Sequence, residues 1–170
     1  MLQHKVPPKL PFFILLLMVS YGTVGALLFT PALPEIQMFF QVSVGKVQST
    51  VTIYLIGFAL GQLPYGPLAK GWGRKKALRL GIILGILGSV LCGLSSVFQS
   101  FEFLVFARFL QALGASAGLK ITYTMIADVY DQSKATQVIS RIIMTFSLVP
   151  GIAIAIGGLL TEFIQWESCF

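Results

Sequence analysis

Long uncharged apolar runs alternate here with short basic connections, and that alternation limits the folds open to the chain. Residues 66–78, GPLAKGWGRKKAL, show it best. Residues 47–69 carry no charge, and neither do residues 80–101. Two such runs joined by a tight cationic turn read as membrane-spanning helices with the turn held on the cytoplasmic side. The glycines belong to the reversal, where a Cβ would obstruct the chain. Composition agrees. The chain is 56% hydrophobic and 11% charged, against about 25% charged in an ordinary soluble domain. So few charges cannot cover a surface facing water, so lipid is the solvent for most of the chain.

The reading is all-α: a polytopic integral membrane protein with five transmembrane helices, near residues 11–30, 47–69, 80–98, 103–123 and 142–161. The first run has no small-residue cleavage site after a short core, so it reads as a retained helix and not as a signal peptide. The net charge of +6 does not indicate nucleic acid, because it lies in the connections and not on one folded face. With the N-terminus inside, the cytoplasmic side receives Lys5, Lys9, Lys70, Arg74, Lys75, Lys76, Arg79, Lys120, Lys134 and Arg141. The outer side receives Lys46, which places the C-terminus outside. Residues 31–46 read as an outer loop and 99–102 as an outer turn. Residues 128–140 read as a polar inner loop in which Ser133 is placed to cap the next helix. Residues 162–170 read as an outer tail.

Few residues are available for chemistry. Arg108 is the one charge clearly inside a span, and an intramembrane Arg normally faces a bundle interior or a wet cavity. One reading makes it a cavity residue that binds a polar substrate group. The other satisfies it with backbone carbonyls or lets it snorkel to the outer interface. Gln111, one turn later on the same face, is placed to share its partner. Lys120 reads as snorkelling, and Asp128 and Asp131 as solvated loop charges. Pro31 and Pro34 restrict the exit of the first helix. Pro150, near Gly157 and Gly158, kinks the fifth. Pairs such as Gly57/Gly61, Gly81/Gly85 and Gly114/Gly118 read as close helix packing. Cys92, Cys169 and the single His4 have no metal-like spacing. No nucleophile–base pair is present, so neither an enzyme nor a cofactor is expected.

Taken together these residues resemble the major facilitator superfamily of secondary transporters, and within its drug:proton antiporters the bicyclomycin-resistance-like branch. The superfamily's loop signature is matched at Gly66, Leu68, Ala69, Gly73, Arg74 and Lys75. Its fourth-helix signature is matched at Arg108, Gln111 and Gly114, with Ala112 in place of a glycine. The first-helix exit resembles the branch at Pro31, Ala32, Leu33 and Pro34, and the fifth helix resembles the antiporter signature at Pro150, Gly157 and Gly158. The resemblance implies that residues 1–170 form most of the N-terminal half of a twelve-helix fold. It implies a bacterial inner-membrane transporter exporting drug-like small molecules by alternating access. Arg108 and Gln111 would line the substrate cavity, the loop motif would form the cytoplasmic hinge, and the prolines and glycines would serve gating.

The departures matter as well. The signature's Asp falls on Lys70 and its following Arg on Gly71. The acid that the branch carries before its Pro-Ala-Leu-Pro falls on Leu27, the signature proline on Ile154, and its arginines near Tyr123 and Ala127 are absent. Proton coupling is therefore left open, and the chain is not expected to export drugs alone. A non-functional remnant of a shortened reading frame stands beside this reading. So does a small scaffold that associates with itself or with a second half-transporter.

Overall fold

The computed structural model describes residues 11–170; Lys5, Lys9 and His4 lie outside the described residues. Seven α-helices follow in order: α1 (Phe12–Leu27), α2 (Leu33–Phe40), α3 (Val44–Gly71), α4 (Arg74–Phe98), α5 (Phe101–Val129), α6 (Gln132–Phe146) and α7 (Val149–Phe163). Among the described residues, five units are long and apolar enough to cross a membrane: Phe12–Phe40, Val44–Gly71, Arg74–Phe98, Phe101–Val129 and Gln132–Phe163. The all-α architecture follows from the solvent. In lipid every backbone group needs an internal partner, and a helix supplies it within one segment.

Local chemistry sets the helix ends. The Ser43 and Ser100 hydroxyls accept the Lys46 and Phe103 amides at 3.4 and 3.3 Å, starting α3 and α5. Gln41 and Gln99 close α2 and α4 in the left-handed region, at φ 51° and 47°. Inside the helices, hydroxyls return their hydrogens to their own backbone: Thr50 to Val47 O and Ser95 to Cys92 O, both at 2.6 Å.

Helix α5 is the axis of the bundle. In its most apolar stretch 61% of residues are buried, against 17% in Gln132–Phe163. Small residues bring α5 close to its neighbours. A Cβ on Gly57 would lie 2.9 Å from Phe109 O, and one on Gly81 would lie 2.9 Å from Gly114 O. A Cβ on Gly114 would strike the backbone of Gly85. Without hydrophobic drive between helices in lipid, such close backbone contact is what holds them.

Several boundaries differ from the sequence reading. The supposed outer loop at 31–46 contains α2: after a break at residues 28–29 and a 3₁₀ turn at Thr30–Ala32, the chain becomes helical again. Pro31 and Pro34 sit in the first residues of these two short helices, where a missing N–H costs nothing. The supposed inner loop at 128–140 is mostly helix. Helix α5 runs to Val129 and α6 begins at Gln132, so the N-cap is Asp131 and Ser133 lies inside. Helix α6 is amphipathic. Its Ala135, Val138, Ile139, Ile142 and Phe146 recur every three or four residues and pack against Leu15 and Val19 of α1 and Ile126 of α5. The fifth span is two helices broken at Ser147–Leu148, with Pro150 in the first turn of the second. The tail is not loose. A 3₁₀ turn at Trp166–Cys169 buries Trp166 and Cys169 against Phe29, Phe101 and Leu104.

The glycine motif also divides. Gly66, Leu68 and Ala69 lie within α3, and the turn itself is Trp72 and Gly73. Gly73 has φ 89° and requires glycine. Gly71 has open space where its Cβ would be and ordinary φ, so the obstruction argument does not hold there.

Candidate functional site

Two arrangements stand out, one buried and one open. The buried one is built around Arg108, which is 0% exposed. The break after α1 prepares its first partner. Carbonyls in the last turn of a helix lack intrahelical donors, and Arg108 Nη1 donates to Gly25 O at 2.9 Å. The same nitrogen donates to Gln111 Oε1 at 2.6 Å. Gln111 Nε2 in turn donates to Ser89 Oγ of α4 at 2.8 Å. Gly88 permits this reach, because a Cβ there would collide with the backbone of Gln111.

Aromatic faces complete the cage. The guanidinium carbon lies 3.8 Å from the Phe29 ring centroid, 4.3 Å from Tyr54 and 5.3 Å from Phe170. Such contacts strengthen when desolvated. Tyr54 is fixed from behind by its hydroxyl, which donates to Gly22 O at 2.9 Å. The ion pairs among the described residues are Arg74–Asp128 and Lys134–Asp131, so Arg108 has no carboxylate. Its Nε and Nη2 are buried without a hydrogen-bond acceptor. Sequence reasoning named Arg108 and Gln111 but missed Phe170. The signal available was the apolar i, i+3, i+4 spacing of Trp166, Cys169 and Phe170.

The open arrangement is a groove between α1, α3, α5 and α6. One cavity of about 330 Å³ is walled by Val19, Thr23, Phe58, Leu119, Tyr123 and Phe146, with Ile142 and Ile143. An adjoining cavity of about 210 Å³ shares Thr23 and Phe58 and adds Ala26, Leu27, Tyr54 and Leu55. Among the described residues, no charged side chain lines either. Arg108 and Gln111 line neither; Tyr54, whose ring faces the guanidinium, also walls the second cavity. The position where the resemblance expects an acid, Leu27, lies in the groove wall.

The remaining motif residues separate by role. Arg74, in the first turn of α4, pairs with Asp128 in the last turn of α5; the expectation that Asp128 is a free solvated charge is thereby corrected. Lys75 is exposed beside it. Gly157 packs α7 on α1, since a Cβ there would strike the Leu28 carbonyl, whereas Gly158 faces open space.

A bundle of membrane-length helices with a central small-residue axis, a caged buried arginine and an uncharged groove defines a polytopic helical membrane protein. Residues 12–170 match the Major Facilitator Superfamily, and the chain belongs to that family. It is 31% identical over 167 residues to an uncharacterized transporter of Rickettsia felis, covering 98% of this chain and 40% of the relative. It is 33% identical over 147 residues to a bicyclomycin resistance protein homolog of Haemophilus influenzae, covering 86% and 36%. It is 28% identical over 156 residues to multidrug resistance protein D of Escherichia coli, covering 92% and 39%. The chain thus spans about 40% of the length of the first of these curated relatives.

Proposed function

We propose that residues 11–170 form one side of the substrate path of a drug-efflux transporter working by alternating access. The uncharged groove carries the reading. Its Phe58, Tyr123 and Phe146 offer aromatic faces, and Thr23 and Tyr54 offer hydroxyls, with no fixed charge among them. Such a wall suits amphiphilic aromatic compounds, held by stacking and apolar burial. The names of the two resistance-protein relatives support the same class of substrate.

On this reading Arg108 and Gln111 act from behind the wall. The guanidinium holds Tyr54 in place, and its two unpartnered nitrogens await an acceptor when the bundle rearranges. The carboxylates of these spans, Glu35, Glu102, Asp128 and Glu162, all lie within about eight residues of a span end and none lines the groove, so proton coupling is left open on this reading. The broken helices at Pro31 and Pro150 are the places where rocking is absorbed. The orientation follows from charge: Lys70, Arg74, Lys75, Lys76, Arg79, Lys134 and Arg141 gather at one end of the bundle, which we assign to the cytoplasm.

The test is a chimera joining these residues to the remaining helices of the Haemophilus influenzae relative, expressed in an efflux-deficient bacterium. The chimera raises resistance to apolar aromatic drugs, and Phe58→Ala with Tyr123→Ala shifts its drug spectrum. The 170-residue chain alone confers none. A chimera that reaches the membrane yet exports nothing would refute the assignment, as would resistance indifferent to the groove substitutions.

A further inference from the structure

At the basic end of the bundle a pocket of about 430 Å³ opens between α3 and α5, walled by Gly66, Pro67, Lys70, Lys120 and Thr124. We propose that it binds the phosphate of an anionic membrane phospholipid. This goes beyond the transport reading and does not depend on it.

The charge argument comes first. Two ammonium groups line the pocket, and no acidic side chain does. The ion pairs among the described residues use Arg74 and Lys134 and leave both lysines out. Lys120 is half-buried about two and a half turns before the end of α5, where an uncompensated ammonium is costly. Thr124 donates its hydrogen to Lys120 O at 2.9 Å, so the donors left for an anion are the two lysines. A basic recess between transmembrane helices, near the membrane surface, is a site that selects lipid phosphates.

The packing argument distinguishes a built recess from loose surface lysines. The Lys120 stem is laid against α3 at Gly66: a Cβ on that glycine would sit 3.4 Å from Lys120 Cε. That is ordinary van der Waals contact, so an alanine there would fit, whereas a branched side chain would crowd the stem.

The third argument selects lipid over a free anion. Leu60, Leu63, Pro67 and Lys70 are exposed and recur every three or four residues along one face of α3. Leu63 is 71% exposed and Leu60 49%. A ligand held by its phosphate at Lys70 thus finds an apolar strip leading back into the membrane. A free phosphate has no use for that strip; an acyl chain does.

The test uses the full chain, purified in mild detergent and titrated with short-chain phosphatidylglycerol, phosphatidylcholine and inorganic phosphate, with bound species read by native mass spectrometry. Phosphatidylglycerol binds in preference to phosphatidylcholine. Lys70→Gln with Lys120→Gln weakens it by roughly tenfold or more. Lys76→Gln with Arg79→Gln removes the same charge from exposed positions on α4 and leaves binding in place. Lys70→Arg with Lys120→Arg also retains it. Gly66→Leu, which keeps every charge but crowds the Lys120 stem, weakens it even if the double glutamine variant fails to fold. Equal weakening by both charge-removing pairs would overturn the proposal in favour of diffuse attraction. Inorganic phosphate that displaces the lipid as readily as lipid displaces itself would overturn the lipid assignment.

Discussion

Arg74 and Arg108 both tie α5 to its neighbours, and they are held by opposite means. Arg74 stands at the basic end, with side chains 37% and 50% exposed across the pair, and meets the carboxylate of Asp128. Arg108 lies 0% exposed inside the membrane bundle and meets no carboxylate. Carbonyl and amide oxygens and three aromatic faces surround it instead. The difference teaches where a formal counter-ion is needed. At the exposed end water competes for both partners, so an ion pair adds little. In the interior a lone guanidinium is tolerated because dipoles and π faces, packed at fixed distances, replace hydration. An exposed pair is weak and replaceable; a caged charge is strong only while its cage is intact.

The largest expected effect attacks what both sites share, the contact of α4 with α5. Gly114 lies between the Ser89–Gln111 bridge and the Arg74–Asp128 pair, and a Cβ on it would strike the Gly85 backbone. Gly114→Leu therefore separates the helices and loses about 4 kcal/mol or more of stability, because backbone cannot yield as a side chain does. It disrupts both arginine sites together. Unfolding in mixed micelles measures this, and an unchanged midpoint would show that the two helices are not held as described.

Next in size is the cage. Arg108→Ala empties a fully buried volume and strands Gly25 O and Gln111, at a cost of about 3 kcal/mol. Arg108→Met fills much of the same space without a charge to desolvate, and stays within about 1 kcal/mol of the parent. If the methionine variant were as unstable as the alanine one, the guanidinium's polar contacts rather than its volume would hold the helices. The chimera separates structure from activity: Arg108→Met stays folded and loses export.

The turn that delivers Arg74 ranks below these. Gly73 is held at φ 89°, so Gly73→Ala costs about 1–2 kcal/mol. Gly71→Ala, in a helical last turn with open space at its Cβ, is neutral or slightly stabilising. Melting temperatures of the two variants, read side by side, check the contrast. Equal losses would return the whole glycine motif to a single role.

Much of this was legible in the residues, and the parts that were not share a physical reason. Spans poor in charge announce helices in lipid, so α3, α4 and α5 follow from residues 47–69, 80–98 and 103–123, extended by up to six residues except at Phe98, where α4 ends as expected. Helices that are half polar do not announce themselves that way. Helix α6 carries Lys134 and Arg141 on its exposed side, and a search for uncharged runs discards it. The period of Ala135, Val138, Ile139 and Ile142 was the signal to follow. Helix α2 hides behind two prolines, which end one helix but also begin the next. Arg108 was visible as an intramembrane charge and Gln111 as its neighbour one turn on. Its surroundings were not, because Phe29, Tyr54 and Phe170 come from three distant parts of the chain, and sequence spacing holds no record of that meeting. Asp128 was misread for a similar reason: its partner Arg74 lies 54 positions away.

The smallest expected effect is the most direct probe of the contrast between the two arginines. A double-mutant cycle over Arg74→Ala and Asp128→Ala yields a coupling of about 0.2–1 kcal/mol, as measured for exposed pairs. Raising the salt from low to about 1 M shortens the screening length to roughly 3 Å and removes most of it. The stability difference between the parent and Arg108→Met moves little over the same range, because Arg108 is 0% exposed and salt screens buried charge weakly. Swapping the exposed pair, Arg74→Asp with Asp128→Arg, restores the coupling, since water tolerates either arrangement. A coupling well above about 1 kcal/mol, insensitive to salt, would mean that the pair is shielded in the membrane-bound protein. The basic end would then be closed off, and the distinction between an exchangeable surface pair and a caged interior charge would have to be redrawn.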